Sequence, residues 1–267
     1  MPENQTRGPH TINLTLHPDA VAAPAHRAAM ICREVVDLYF DALSKADLSQ
    51  PPVPPEDTFF RFSISGPEMS AEHRRGVHER WILSRAFQDL MRGVRASLEE
   101  AYFFIELFSL ERIVAPSSGT LDEVLMPYRA KAQKLNFPDL MAYVNSALDS
   151  PVAFSEAYRS LQAARNCLEH RGGIVGLQDL DSSGLLKISV PRLKAFIEKD
   201  GVEIELFKNF YVEQETVLQM RAETRDLVFR LGQPLLISAS DFEDIAYACA
   251  NFGTLLAQQL PKTRSNS

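Results

Sequence analysis

The stretch LQAARNCLEHRGGIVG, residues 161–176, decides how the rest of the chain is read. Phe154, Tyr158 and Leu161, followed by Leu168, recur at the spacing of one apolar helix face. Asp149-Ser150-Pro151 opens this helix, with Pro in a first turn where its missing N–H costs nothing. Gly172-Gly173 ends it. Arg165, Asn166 and His170 therefore sit near the helix C-terminus. Asn166 and His170 share a face, whereas Arg165 and His170 diverge by about 140° around a regular helix.

These residue types suit cleavage of RNA without a metal. The ribose 2′-hydroxyl must attack the adjacent phosphate while one group moves a proton and a cation stabilises the charge that builds on phosphorus. Histidine moves protons near neutral pH. Arginine presents a planar fork that matches phosphate oxygens and keeps its charge. A single helix does not aim Arg165 and His170 at one phosphate. Convergence needs fraying at the glycine pair or a second copy of the helix, and a two-fold dimer supplies that copy. Plainer roles are also open to the same residues. Arg165 and Glu169 have the spacing of a helix-surface ion pair, worth about 0.3–0.5 kcal/mol. His170 and Arg171 complement the helix dipole in the last turn.

The Arg-Asn-x-x-x-His pattern late in an apolar helix resembles the signature of the HEPN superfamily, an Arg and a His a few residues apart, often with Asn directly after the Arg. The resemblance implies a helical bundle and a homodimer in which two motifs meet in a cleft. It also implies metal-independent endoribonuclease activity, often in toxin–antitoxin or antiphage defence systems. Other members are non-catalytic interaction or scaffold modules, so both fates are expectations. Carried onto this chain, His170 is the general acid or base, Arg165 stabilises phosphorane charge, and Asn166 positions the motif or a phosphate. Arg171, Arg74 and Arg75 are candidate substrate-binding residues. RNA, a second copy of the chain and a protein partner such as an antitoxin are the expected partners, with no metal and no cofactor. Glu169 departs from a simple phosphate site, because it places a carboxylate where phosphate has to approach. It either orients His170 or marks a motif that no longer binds RNA.

Outward from the motif, the N-terminal side reads as helical. Residues 1–18 form a polar tail, and a first helix covers 19–47, with Asp19 as cap and an apolar stripe of Ile31, Val35, Leu38, Tyr39, Ala42 and Leu43. Residues 48–68 are a Pro-rich connector in which TFFRFSIS has strand character. A long helical stretch follows from about Ser70 to Ile113, its stripe running through Val77, Trp81, Phe87, Met91, Val94, Leu98, Tyr102 and Ile105. Gly76 and Gly93 weaken it, as a bend or a break into two helices. PSSG at 116–119 ends the stretch, and two shorter helices cover 120–136 and 138–148.

After the motif the periodicity changes to alternation. Leu186, Ile188 and Val190 alternate with Lys187 and Ser189, and Val202, Ile204 and Leu206 alternate with Glu203 and Glu205. Asp200-Gly201 precedes the second run as a hairpin turn requires. Residues 215–220 and 226–237 read as further strand. Residues 184–237 are thus an antiparallel sheet inserted in a helical domain spanning 19–260. The chain returns to helix with Ser240 and Glu243 at capping-box spacing and a stripe of Ile245, Cys249, Phe252 and Leu256, before a disordered tail at 261–267. The fold class is mainly α, a HEPN-like bundle with a small inserted antiparallel β-sheet.

Composition narrows the function classes. The chain of 267 residues, 45% of them hydrophobic, can bury a substantial core. No apolar run approaches the roughly 20 residues of a membrane helix, and the N-terminus lacks the pattern of a secretory signal. Cys32, Cys167 and Cys249 have no metal-site spacing, which points to a reducing cytoplasm. A net charge of −7 argues against a general nucleic-acid coat. Charge is uneven, however: between Glu72 and Arg95, Arg74, Arg75, Arg80, Arg85, Arg92 and Arg95 outnumber the acids and leave room for local basic surface, and His73-Arg74-Arg75 with His78 is either a solvated face or a phosphate-contacting edge. His73 and His78 lack the spacing of a helical zinc pair. The cluster Tyr102, Phe103, Phe104 and Phe108 reads as core or dimer interface.

Overall fold

Small side chains let the longest helices meet closely. In the computed structural model, which describes residues 10–12, 14–50, 69–110, 113–115, 120–206 and 216–262, helix α1 (Pro18–Lys45) runs antiparallel to helix α2 (Ala71–Ser109). A Cβ added at Gly93 of α2 would lie 2.4 Å from the Ala28 Cβ, so this glycine is where the two helices approach. Helix α6 (Ala239–Gln258) packs on the same small-residue face of α1, where a Cβ at Gly253 would lie 2.9 Å from the Ala22 carbonyl oxygen. The face α1 buries is therefore Ala22, Ala25, Ala29, Cys32, Val36 and Leu43. This corrects the expected stripe: Ile31, Val35 and Leu38 are exposed. Helix α1 also starts differently. His17 occupies the cap without a side-chain bond, Pro18 follows, and Asp19 lies in the first turn.

Helix α2 is one continuous helix despite Gly76 and Gly93, capped by Ser70, whose hydroxyl accepts from the His73 N–H at 3.1 Å. Helix α3 (Leu121–Lys134) begins with the Thr120–Glu123 capping box, and α4 (Phe137–Ala147) with Asn136 as cap and Pro138 in its first turn. Helix α3 falls within the expected 120–136, and α4 starts one residue before the expected 138–148 because Asn136 caps it. The motif helix α5 (Ser155–Arg171) starts later than the sequence suggests. Phe154 takes a left-handed conformation, φ 61°, and stops the helix from extending back to Pro151. Asn145 fastens this entry, accepting from the Val152 N–H and donating to Ser155 Oγ, each at 3.0 Å.

The alternating segment forms a three-stranded antiparallel sheet: β3 (Leu185–Lys199) lies between β4 (Val202–Glu205) and β5 (Gln219–Arg230). Here strand numbering follows a separate pair near the N-terminus, β1 (His10–Ile12) and β2 (Ile113–Ala115), which are antiparallel. Residues 10–12, read as tail, are thus strand. Asp200 and Gly201 both have positive φ, the geometry of the expected two-residue turn. Leu186, Ile188 and Val190 are buried toward the helices. Strand β5 ends at Arg230, short of the expected 237, because Gly232 turns the chain with φ 77° and residues 233–235 pair with the segment after α5. The box that starts α6 is Ser238–Asp241, not Ser240–Glu243; Glu243 instead pairs with Arg33 at 2.9 Å. The expected strand at 58–65, the PSSG turn and most of the C-terminal tail lie outside the described residues.

The protein is mainly helical, with six α-helices and the small antiparallel sheet among the described residues. Tyr158 of α5 sits at the centre of the core, its ring 4.6 Å from that of Phe252 and its hydroxyl donating to the Ala248 carbonyl at 2.9 Å. This fixes the motif helix against α6. Among the described residues no helix is long and apolar enough to cross a membrane.

Candidate functional site

The last two turns of α5 are shaped by the glycine pair that follows. Gly172 and Gly173 both have positive φ, and the Gly173 N–H donates to the Cys167 carbonyl at 3.1 Å, closing the helix. The chain then doubles back along the segment after β5: the Leu235 N–H donates to Gly173 O at 2.7 Å and the Val175 N–H to Gln233 O at 3.0 Å. Arg171 is held by the same turn. Its guanidinium makes a bidentate pair with Asp179, which is nearly buried and also accepts from the Gly176 N–H at 2.8 Å. Arg171, expected at the substrate, therefore pins the turn after the helix.

Two of the three motif residues, Arg165 and His170, gather around Glu169. An Arg165 Nη2 contacts Glu169 Oε2 one helical turn away. His170 Nε2 lies 3.8 Å from that same oxygen, and Arg92 Nη2 of α2 lies 3.7 Å from Oε1. One carboxylate thus collects two guanidinium groups and an imidazole. The divergence of Arg165 and His170 around the helix is spanned by Glu169 between them. Asn166 Oδ1 accepts from Gln162 Nε2 at 2.9 Å and from Arg165 Nη1 at 3.3 Å, so it steadies the Arg. Arg165 and Glu169 are each about a quarter exposed, whereas the His170 side chain is 62% exposed. Cys167 faces the core. Burial, and then the charge of Asp179, push its thiol up, so it has no character of a nucleophile.

A cleft of about 700 Å³ opens beside this cluster. One wall is α2, with Val77, Arg80, Trp81, Ser84, Arg85 and Gln88; the others are Leu168, Glu169 and Gly172-Gly173 of the motif end, and Pro234–Leu236. His170 does not line it. Arg74 and Arg75 lie near the start of α2 and do not line the cleft: Arg75 donates to the Leu43 carbonyl at 3.1 Å, and Arg74 Nη1 is buried without a partner among the described residues. His78 hydrogen-bonds the Tyr39 hydroxyl at 2.6 Å. Of the Arg-rich stretch, Arg80, Arg85 and Arg92 reach the motif's neighbourhood. Arg95 pairs with Glu99 and donates to the Leu135 carbonyl at 2.8 Å. Among the described residues no group of three or more His, Cys, Asp or Glu is arranged to hold a metal ion.

Sequence reasoning missed the cleft wall and the approach of Arg92. A signal existed: Val77, Trp81, Ser84 and Gln88 repeat at helical spacing beside a second stripe, Leu83, Phe87, Leu90 and Val94, which is the one buried in the core. Compared with protein-family models, curated proteins and solved structures, the chain finds no match in any of the three.

Proposed function

We propose that this chain is a metal-independent endoribonuclease of the HEPN type, acting as a homodimer in the cytoplasm, in a toxin–antitoxin or antiphage setting. The observation that carries this reading is the crowding of Arg165, Arg92 and His170 around one carboxylate. Glu169 occupies an anion-sized position already ringed by positive and ionisable groups, and a phosphate that displaces it meets the same groups. There Arg165 and Arg92 stabilise the charge that develops on the phosphorane oxygens. His170, exposed at the helix end, takes the 2′-hydroxyl proton or returns one to the leaving 5′-oxygen. The products are a 2′,3′-cyclic phosphate and a 5′-hydroxyl. A second copy of α5 supplies the other proton carrier. Three free, buried cysteines fit a reducing compartment.

The test is incubation of the protein with total RNA in EDTA beside His170→Ala. Cleavage lost in the variant, and lost on RNA with a deoxyribose at the attacked position, supports the reading. Cleavage that persists on the deoxy substrate overturns the mechanism.

A second reading, a non-catalytic interaction module, is favoured by the neutralisation of Arg165 by Glu169. It expects intact RNA with wild type, Arg165→Ala and His170→Ala alike, with any effect confined to partner binding.

A further inference from the structure

Strand β5 is an edge of the sheet, and the hydrogen bonds of its neighbour β3 show which of its backbone groups face outward. Opposed residues of an antiparallel pair either exchange both backbone hydrogen bonds or point them away from each other. The odd-numbered residues of β3 point theirs away from β5. Ser160 Oγ of α5 accepts from the Ser189 N–H at 2.9 Å and donates to the Ser189 carbonyl at 3.4 Å. The Leu206 N–H, just after β4, donates to the Ala195 carbonyl at 2.9 Å. Pro191, between the two, has no N–H to give. The residues of β5 opposite Ser189, Pro191 and Ala195 are Asp226, Thr224 and Met220. With Ala222 and Val228 of the same alternation, they aim N–H and C=O at the free side of β5. Arg230, next in the series, is closed by Gln233, whose Oε1 accepts from the Arg230 N–H at 2.8 Å and whose own N–H donates to the Arg230 carbonyl at 3.0 Å. Among the described residues nothing pairs with Met220, Ala222, Thr224, Asp226 or Val228, and all are exposed, Met220 at 64% and Val228 at 52%. An open edge of this length is a template for another strand.

We propose that β5 pairs antiparallel with β5 of a second copy of the chain, about a two-fold axis at Thr224, so that the two sheets join edge to edge. The strand is self-complementary in this register alone. The outward-facing residues are centred on Thr224, so only an axis there gives each of them a partner: Thr224 meets the partner's Thr224, Ala222 the partner's Asp226, and Met220 the partner's Val228. The last contact, made twice by symmetry, covers the exposed apolar side chains of the edge. On the other face Glu223 stands opposite the partner's Arg225, also twice. The neighbouring registers lack this match. An axis at Glu223 opposes Glu223 to itself and Arg221 to Arg225, and an axis at Arg225 opposes that arginine to itself. Unlike charges directly opposite stabilise a strand pair and like charges destabilise it. Helix α5 contacts β3 on the side away from β5, through Ser160, so this contact is separate from a meeting of two motif helices and does not rest on the ribonuclease reading.

Thr224 on the axis makes a charge test possible. Thr224→Lys opposes two lysines across the axis and Thr224→Asp two aspartates, whereas an equimolar mixture of the two variants opposes Lys to Asp. Sedimentation velocity and light scattering on the full chain, over a dilution series, compare wild type, each variant and the mixture. Wild type is expected to sediment above the 30.0 kDa of one chain. Each variant alone should raise the dissociation constant of the assembly about fivefold to tenfold, and the mixture should return it to the wild-type value or below. Thr224 is exposed, so both variants are expected to fold, and their thermal unfolding is recorded alongside. Wild type at the mass of one chain throughout the series overturns the proposal. An assembly unchanged in both variants also overturns it, by placing the contact between copies elsewhere. Assembly weakened in both variants but not recovered in the mixture overturns the axis at Thr224, and with it the pairing argued from that register.

Discussion

Glu169 holds Arg165 from one helical turn further along α5, and the oxygen that makes this contact also faces the His170 imidazole at 3.8 Å. An i, i+4 pair of this kind contributes little to stability, below about 1 kcal/mol when partly exposed. Its main consequence is electrostatic: the two groups suited to a phosphate are occupied by a carboxylate of their own helix. Glu169→Gln is therefore expected to leave the unfolding midpoint nearly unchanged and to raise affinity for RNA by about threefold to tenfold. Filter binding in EDTA measures this. Affinity that is unchanged or lower in Glu169→Gln would remove Glu169 from the anion position.

Arg171 is expected to act on stability. Asp179 is almost fully buried and depends on the Arg171 guanidinium for two of its hydrogen bonds. Arg171→Ala strands that carboxylate, and breaking a buried pair from one side costs about 3 kcal/mol. Urea denaturation should show the loss for Arg171→Ala, with partial recovery in the Arg171→Leu, Asp179→Leu double variant. A cost under about 1 kcal/mol would mean that the turn after α5 opens to water.

The two glycines inside α2 should respond oppositely to alanine. At Gly76 the nearest atom to an added Cβ is Arg80 Nη1 at 3.7 Å, an ordinary contact, so Gly76→Ala gains helix propensity, about 0.5–1 kcal/mol. At Gly93 the added Cβ meets the Ala28 Cβ at 2.4 Å and the Pro24 carbonyl oxygen at 3.1 Å. Helix α1 must shift, and overpacking of this kind costs about 1–3 kcal/mol. Thermal unfolding of the two variants tests the close α1–α2 approach directly. Two stabilising substitutions would show the helices further apart than this.

That contrast also marks how far the sequence could be read. The motif helix, its glycine stop, the Asp200-Gly201 turn and the alternating strands were legible because each is fixed by local chemistry. The buried face of α1 was not. Periodicity gives weight to large apolar residues, and Ile31, Val35 and Leu38 stand out. The helix instead buries its alanines, because only they fit against Gly93 and Gly253, which are distant in sequence. The start of α5 was misplaced for a similar reason: the left-handed turn at Phe154 is held by Asn145 from the preceding helix and leaves no trace in the segment itself. For the site, Arg165, Asn166 and His170 were found by spacing, but Arg92 reaches Glu169 only through the packing of α2 on α5. The Trp81–Gln88 wall was hidden because a single stripe along α2 merged cleft and core residues.

The end of the sheet where β4 pairs with β3 gives a pH prediction whose sign follows from its charge ladder. Glu203 accepts from Arg221 at 2.7 and 3.0 Å and from Lys194 at 3.1 Å, while Arg192 joins Glu205 at 2.6 Å to Glu223 at 2.7 Å. The Arg221 hydrogen bonds first, and then Lys194, hold the Glu203 carboxyl down at about 2, and Arg192 lowers Glu223 as well. A carboxylate depressed in the folded state contributes stability that is present above its ordinary value of 4.5 and lost as pH falls through about 2. The ladder should therefore stay closed through pH 4 and open only toward pH 2. Carbon NMR of the Glu203 carboxyl reads its midpoint, which should return toward 4.5 in Arg221→Ala. Because the group is exposed, added salt should move the wild-type midpoint in the same direction. A wild-type midpoint already near 4.5 at low salt would show that Arg221 and Glu203 do not hold each other in solution.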